Sequence, residues 1–175
     1  SDKMSAGVSQ LLKGNSVTIL SGEAQFTSSH EIVVKSKTGS EAVKAKNFIV
    51  ATGSRPIEIP GFPFDEKGLV SSTGALAFDE VPKKLVVIGG GYIGLEISSY
   101  LAKFGSEVTV VEAAPAILNG VVDSECAQIV ARKLNKNGIK VLMNAKAKSQ
   151  KKVASGYEVT VDVAGKEEVL KADKI

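Results

Sequence analysis

The second half of the chain alternates short apolar runs with amphipathic stretches. Two runs, at residues 85–88 and 108–111, suit strands that are buried on both faces of a parallel sheet, and residues 139–143 suit a third strand. A helical stripe between the first two runs consists of Ile93, Ile97, Leu101 and Phe104. Its spacing predicts a helix that ends at Gly105. The order strand, helix, strand predicts an α/β domain with a parallel sheet.

A second helix is predicted between the second and third runs. Asp123 has a side chain that suits an N-cap, and Asn137-Gly138 is a typical helix end. The predicted apolar face consists of Cys126, Val130 and Leu134. Residues 153–175 then have the pattern of antiparallel strands separated by glycine-containing turns.

The first half predicts a different arrangement. Residues 3–13 suit a short amphipathic helix that ends near Gly14. Four β-like segments follow, at residues 17–20, 23–26, 31–36 and 43–50. Two of them alternate apolar and polar positions, as a half-exposed antiparallel sheet does. Four of the five prolines then fall in residues 53–82, which we interpret as a connector with one short helix near residues 73–78.

Composition excludes several classes of protein. Of the 175 residues, 43% are hydrophobic and 23% are charged, which is the balance of a folded globular protein. No apolar run approaches the roughly 20 residues that cross a bilayer, so we expect no membrane partner. The net charge is +3, and the chain lacks the clustered basic and aromatic residues of a nucleic-acid binder. We interpret the lysines at positions 146, 148, 151 and 152 as a solvated surface stretch.

The single cysteine and the single histidine limit the chemistry further. Cys126 alone excludes an internal disulfide and a thiolate-rich zinc site, and we expect it to be an ordinary packed residue. His30 lies among serines in a turn-like stretch, which disfavours a Ser-His-Asp site. No metal site is predicted, and the first residues lack the pattern of a secretory signal. These features predict a reduced, cytoplasmic protein.

A glycine-rich motif, G-x-G-x-x-G, lies between the first apolar run and the helix that follows it. The motif comprises Gly89, Gly90, Gly91, Tyr92, Ile93 and Gly94. The order buried strand, motif, amphipathic helix and second buried strand is the context that a dinucleotide-binding motif requires. The first glycine permits a tight turn, the second lets the backbone approach a pyrophosphate, and the last lets the helix pack close to the sheet. The helix N-terminus presents N–H groups to the phosphates. A tight turn without a ligand is the alternative.

Glu112 ends the second apolar run, eighteen residues after Gly94. An acid at this place suits hydrogen bonds from the adenosine ribose hydroxyls. A 2′-phosphate would meet its negative charge, and the three residues that follow, Ala113, Ala114 and Pro115, supply no cation. The sequence therefore predicts NAD(H) rather than NADP(H) as the ligand. A surface acid at a strand end is the alternative.

Tyr92 and Glu96 lie on one face of the first turn of the predicted helix, four residues apart. A bulky ring between phosphate-loop glycines must point over the ligand or be buried. The spacing fits a gate beside the nicotinamide, and it fits a packed tyrosine and a solvated glutamate equally well.

Three blocks of sequence resemble the FAD-dependent pyridine nucleotide–disulfide oxidoreductases, and among them the dihydrolipoamide dehydrogenase branch. They are V-A-T-G-S-R-P from Val50, S-S-T-G-A-L from Ser71 and P-K-K-L-V-V-I-G-G-G-Y-I-G-L-E from Pro82. The resemblance runs over the whole chain. It implies a Rossmann-like NAD-binding domain, with a parallel sheet and an antiparallel β-meander, joined to a partial FAD-domain segment.

A similarity in pattern between the two halves of the chain supports this domain organisation. Both halves contain a helix end, a glycine turn and a strand, followed by a three-segment antiparallel stretch. We expect residues 1–60 to end the first FAD-domain segment, residues 61–82 to form a connector, and residues 83–175 to form the NAD-binding domain without its last strand. The chain has the pattern of a protein cut at both ends.

The resemblance also implies roles for individual residues. Contacts with FAD would come from Ala24, Thr52, Gly53 and Ser54. Residues 89–94 and Glu112 would hold NAD, and the main chain of Ala147 would touch the adenine. Tyr92 matches a tyrosine that covers the flavin until nicotinamide arrives. Glu96 matches a glutamate that pairs with a lysine beside the flavin.

Enzymes of the dihydrolipoamide dehydrogenase branch oxidise dihydrolipoamide through a redox disulfide and FAD and pass a hydride to NAD⁺. The resemblance implies a homodimeric parent bound to the E2 component of a 2-oxo-acid dehydrogenase complex. This chain departs from the pattern because it has one cysteine, no C-x4-C disulfide and no His-Glu pair, so we expect it to be inactive alone.

Two other functions remain open from the sequence. The chain also fits a sister flavin disulfide reductase, similar to glutathione or mercuric reductase. It fits, in addition, a stand-alone NAD-binding module such as a redox sensor. A missing last strand would leave an open sheet edge, so residues 48–53 are predicted to pair with their own meander or, by exchange, with the second sheet.

Overall fold

The computed structural model describes residues 2–175 and divides the chain into two compact units, Ser1–Ser54 and Arg55–Ile175. The first unit contains one helix and a three-stranded antiparallel meander. Its elements are α1 (Asp2–Gly14), β1 (Glu23–Ser28), β2 (Glu31–Ser36) and β3 (Gly39–Lys44), with the strand order β1-β2-β3. Val34 is buried, and the rings of Phe26 and Phe48 meet edge to face with centroids 5.1 Å apart.

Two predictions for the first unit are wrong. Residues 17–20 form no strand, and the predicted strand 43–50 retains only its first two residues, at the end of β3. Residues 48–53 form no strand and do not pair with the meander, so that alternative is wrong, whereas pairing by exchange stays a prediction. A strand needs a partner for its backbone N–H and C=O groups, and β2 already has a partner on both sides.

The second unit combines a parallel sheet with a second antiparallel meander. It contains α2 (Ser72–Ala75), β4 (Lys84–Ile88), α3 (Tyr92–Lys103), β5 (Glu107–Val111), α4 (Ser124–Lys136), β6 (Lys140–Leu142), β7 (Ala145–Val153), β8 (Gly156–Val163) and β9 (Lys166–Ala172). Strands β4, β5 and β6 pair in parallel in that order, and β7, β8 and β9 pair antiparallel. The predicted mixed α/β fold is confirmed. The third apolar run and the tail form the strands that were predicted, although the meander begins eight residues earlier, at Ala145.

Alternate residues of the parallel strands contribute to two hydrophobic cores. Leu85 and Val110 pack with residues of α3 and α4, whereas Val86 and Val111 pack with residues of the meander. All four side chains are at most 3% exposed. Residues 85–88 and 108–111 are apolar at nearly every position because both strands are covered on both faces.

The helix α4 is rotated slightly from its predicted orientation. Its buried residues are Ala127 and Leu134, and Val130 is half-buried. Cys126 is exposed, so the prediction of a packed cysteine is wrong. The positions 127, 130 and 134 follow the spacing i, i+3 and i+7, which is as helical as the predicted spacing of four and four. Asp123 is the N-cap residue, as predicted, although its side chain accepts no capping hydrogen bond.

The end of the chain lies beside β4. Lys174 forms a parallel bridge with Leu85, and the carbonyl of Lys174 accepts a hydrogen bond from the Val86 N–H at 3.2 Å. Ile175 exchanges two hydrogen bonds with the connector, through Gly68 and Val70. In residues 2–175 no helix has both the length and the apolar character that a membrane span requires.

A turn in the connector is organised by Asp65. Its Oδ1 accepts hydrogen bonds from the N–H groups of Gly68 at 2.7 Å and of Lys67 and Leu69 at 2.9 Å. These bonds, foremost that from Gly68, lower the pKa of Asp65 below its ordinary value of 3.8. Because the folded state has the lower pKa, the carboxylate contributes stability above the unfolded pKa, and this contribution is lost as the pH falls through the folded pKa.

Replacing Asp65 with asparagine is expected to lower the free energy of unfolding of the second unit by about 1 kcal/mol at pH 7. The difference from wild type should shrink as the pH falls below 3.8. Urea unfolding followed by tyrosine fluorescence measures this, because the chain has 3 tyrosines and no tryptophan, and all 3 lie in the second unit. Asp79→Asn, an exposed acid of the same connector, is the control. A difference that stays constant from pH 7 to about pH 3 would contradict the assignment.

Candidate functional site

The glycine motif forms the turn between β4 and α3. Gly89 has a φ of +107°, which disfavours any residue with a side chain, and its N–H donates to the carbonyl of Val111 at 2.8 Å. Gly91 is the N-cap of α3, and no side chain caps the helix there. The first N–H groups of α3 are thus left without a capping side chain, at the positive end of the helix dipole.

Gly94 lies where α3 passes closest to β4. A Cβ atom at this position would lie 2.6 Å from the carbonyl oxygen of Gly89 and 3.2 Å from Cγ1 of Val87. Since real Cβ atoms do not approach backbone so closely, the fold itself requires glycine here. The predicted role of Gly94 in close packing agrees with this geometry.

Gly91 is in the opposite situation. Its φ of −77° is accessible to any residue, and a Cβ atom there would meet no protein atom within 4 Å. Neither the backbone conformation nor the packing of the second unit therefore demands glycine at position 91.

Glu112 is half-buried at the end of β5 and faces the glycine turn. Its Oε2 accepts a hydrogen bond from the Gly90 N–H at 2.6 Å, and its Oε1 accepts one from the Ala114 N–H at 2.6 Å. The structure thus brings the glycine turn and the predicted ribose acceptor together. A carboxylate oxygen has lone pairs for more than one donor, so the ribose hydroxyls still have acceptors available.

Tyr92 and Glu96 are both exposed on α3, and Tyr92 is 61% exposed. They line an open groove of about 380 Å³ between α3 and α4, whose floor includes Leu95 and Leu134. A packed tyrosine, one of the two alternatives, is not what the structure shows.

The remaining predicted contacts lie elsewhere. Ala147 is half-buried in β7, opposite Val161. In the first unit, Ala24 is exposed in β1, and Thr52, Gly53 and Ser54 are exposed in an irregular segment. Within residues 2–175, no three His, Cys, Asp or Glu side chains cluster as a metal site would require.

The sequence interpretation missed a set of contacts around Gly90. The resemblance placed Gly90 among the residues that would hold NAD, and Glu112 was predicted to accept hydrogen bonds from the ribose hydroxyls. In the structure Gly90 is buried, its N–H bonds Glu112 and its carbonyl accepts from the Leu118 N–H at 2.9 Å. The signal available in the sequence was the run of three consecutive glycines, because the motif requires glycine at only two of these three positions.

The parallel sheet, the glycine turn at a helix N-terminus and the acid at the end of the next strand are the features of the α/β fold that dinucleotide-binding proteins use. The family model described as "Pyridine nucleotide-disulphide oxidoreductase" matches residues 1–175. The chain belongs to this family.

Curated relatives refine the family assignment. The dihydrolipoyl dehydrogenase of Staphylococcus aureus is 43% identical over 174 residues, which cover 99% of this chain and 37% of the relative. That of Bacillus subtilis (strain 168) is 43% identical over 175 residues, with the same coverage of 99% and 37%. That of Trypanosoma brucei brucei is 51% identical over 136 residues, which cover 77% of this chain and 28% of the relative. The chain therefore spans between about a quarter and little more than a third of these relatives.

Solved structures agree on the fold. LpdA from Mycobacterium tuberculosis superposes with a TM-score of 0.81 at 22% identity, over 99% of this chain and 38% of that chain. The HOCl-induced flavoprotein disulfide reductase RclA from Escherichia coli superposes with a TM-score of 0.70 at 29% identity, over 90% of this chain and 35% of that chain. The recognised resemblance to this family is confirmed.

Proposed function

We propose that the second unit binds NAD(H), with the pyrophosphate at the N-terminus of α3 and the adenosine ribose at Glu112. The observation that carries this proposal is the open space at Gly91. The fold does not need glycine there, whereas a phosphate group that approaches the backbone does. Gly89 and Gly94, by contrast, are required by the turn and by helix packing.

The preference for NAD(H) over NADP(H) follows from charge. The Glu112 carboxylate would accept hydrogen bonds from ribose hydroxyls and would repel a 2′-phosphate. Ala114, whose N–H already bonds Glu112, offers no positive side chain to offset the repulsion. Ala147 is proposed to contribute a main-chain contact to the adenine.

Calorimetric titration of this chain with NADH and with NADPH tests the proposal. We expect NADH to bind and NADPH to bind at least about tenfold more weakly, because an unpaired anion next to the carboxylate is unfavourable. Glu112→Gln should reduce this discrimination. Glu107→Gln, at the exposed start of β5, should leave it unchanged. Equal affinities for the two nucleotides in wild type would contradict the proposed role of Glu112.

For the whole protein we propose the activity of a dihydrolipoyl dehydrogenase. Dihydrolipoyl dehydrogenases work with FAD and NAD. The bound groups would supply hydride transfer from reduced FAD to NAD⁺, with electrons drawn from dihydrolipoamide through a redox disulfide. In this chain Thr52, Gly53, Ser54 and the main chain of Ala24 are proposed to contact the FAD. Homodimer formation, binding to an E2 component and a cytoplasmic location belong to the same proposal.

Tyr92 and Glu96 are proposed to lie next to the nicotinamide end of the site. Both are exposed on the first two turns of α3, one turn apart, beside the proposed pyrophosphate position. Because Tyr92 is 61% exposed, its side chain has room to swing over a flavin and away from it. Glu96 would hold a cation from another part of the whole protein.

A sister flavin disulfide reductase is the second candidate. The superposition with RclA at 29% identity favours it, but the 43% identity to dihydrolipoyl dehydrogenases over nearly the whole chain favours the first. The whole protein separates the two, because only the first predicts NADH formation from NAD⁺ and dihydrolipoamide. The isolated chain, with its single cysteine, should show no such activity.

A further inference from the structure

Gly90 is the one glycine of the motif that is enclosed by the protein on all sides. It is buried, and its two polar backbone groups are both used inside the protein. The N–H donates to Oε2 of Glu112 at 2.6 Å, and the carbonyl accepts from the Leu118 N–H at 2.9 Å. The peptide at position 90 is therefore held between the end of β5 and the loop that follows it.

The space around Gly90 is filled by the same two segments. A Cβ atom at position 90 would lie 3.0 Å from Cγ2 of Ile117, 3.1 Å from Oε2 of Glu112 and 3.3 Å from Cβ of Glu112. Ile117 is only 1% exposed and cannot move aside without disturbing its core. The absent side chain at position 90 thus makes room for the carboxylate, not for a ligand.

We propose that Glu112 is also a positioning residue: its carboxylate ties the Gly90 amide of the phosphate-binding turn to the Ala114 amide beyond β5, so that the ribose acceptor and the turn form one rigid unit before any nucleotide arrives. The inference rests on the proposed NAD(H) site and deepens it. Each carboxylate oxygen accepts a hydrogen bond from one of these two N–H groups. Both oxygens are therefore held in place, and each keeps a lone pair for a ribose hydroxyl.

Two consequences follow for ligand binding. The Gly90 amide is already bonded, so the phosphates must be bound by Gly91 and the first turn of α3. Removal of the carboxylate would also do more than delete a ribose contact, since it would leave the N–H groups of Gly90 and Ala114 without their acceptor.

Amide hydrogen exchange of the unliganded chain, measured by NMR, tests the tie directly. In wild type the Gly90 and Ala114 amides should exchange at least about tenfold more slowly than the exposed Gly91 amide, after correction for intrinsic rates. Glu112→Ala should remove this protection, while Glu107→Ala should not. A Gly90 amide that exchanges as fast as Gly91 in wild type would overturn the proposal. If Glu112→Ala fails to fold, Glu112→Gln, which keeps one acceptor oxygen, should expose one of the two amides.

Nucleotide binding provides the second readout. ADP carries the two ribose hydroxyls from which Glu112 would accept hydrogen bonds, and 2′,3′-dideoxy-ADP lacks both. A positioning role predicts that Glu112→Ala weakens both ligands, the dideoxy form by at least about threefold. A role confined to the hydroxyls predicts that binding of the dideoxy form is unchanged, or tighter because a negative charge has been removed, and this result would overturn the proposal.

The two readouts separate the inference from the proposed function. If wild type binds neither ADP nor NADH, the nucleotide site is contradicted. The exchange rates are measured without nucleotide, so they decide on the tie between Glu112 and Gly90 in either case.

Discussion

Gly94→Ala is expected to lower the free energy of unfolding of the second unit by about 3 kcal/mol or to prevent its folding. The added Cβ would lie 2.6 Å from the Gly89 carbonyl oxygen, a backbone atom that cannot rotate away. To relieve this contact α3 must move off β4. That movement would open the core formed by Leu85, Leu95 and Val110, each at most 5% exposed.

Urea unfolding followed by tyrosine fluorescence measures the effect of Gly94→Ala. Gly91→Ala is the matched control, because a Cβ at position 91 meets no protein atom within 4 Å. It should change the free energy of unfolding by no more than about 1 kcal/mol, the range of N-cap substitutions. A Gly94→Ala variant as stable as Gly91→Ala would show that the helix and strand are not as close as the structure has them.

Gly91→Ala is expected to have its large effect on ligand binding instead. The methyl group would occupy the space into which we place the pyrophosphate, and the affinity for NADH should fall by about 100-fold, or about 2.7 kcal/mol. Calorimetric titration with NADH measures this loss. Gly7→Ala is the control, since Gly7 in α1 also has open space around it and an ordinary φ. Unchanged NADH affinity in Gly91→Ala would contradict the assignment of this glycine to the ligand.

Most of the second unit was predictable from the sequence because its signals are local and agree with one another, although Ile93 and Phe104 of the predicted helical stripe are exposed. Residues 85–88 are apolar without interruption and residues 108–111 are interrupted only by Thr109, and the apolar side chains of both runs lie in the two hydrophobic cores. The glycine motif has the strand before it and the helix after it that its chemistry needs. The acid at position 112 then follows at the end of the next strand, where it meets the motif.

Other features depend on contacts that no local pattern encodes. The β-propensity of residues 17–20 is real, but without a partner strand it produces no strand. The choice between Cys126 and Ala127 as the buried residue of α4 depends on a slight rotation of the helix, which apolar spacing does not resolve. The hydrogen bond between Glu112 and Gly90 joins residues 22 positions apart. Three backbone N–H groups of one turn donate to Asp65, and no sequence motif predicts this arrangement.

A crystal structure of this chain with NADH tests the central claim most directly. The account predicts the pyrophosphate within hydrogen-bond distance of the N–H groups at the start of α3, over Gly91, with the adenosine ribose hydroxyls on Glu112. The Gly90–Glu112 bond should persist in the complex. NADH bound elsewhere on the second unit, or an empty glycine turn at a saturating concentration of NADH, would contradict the account.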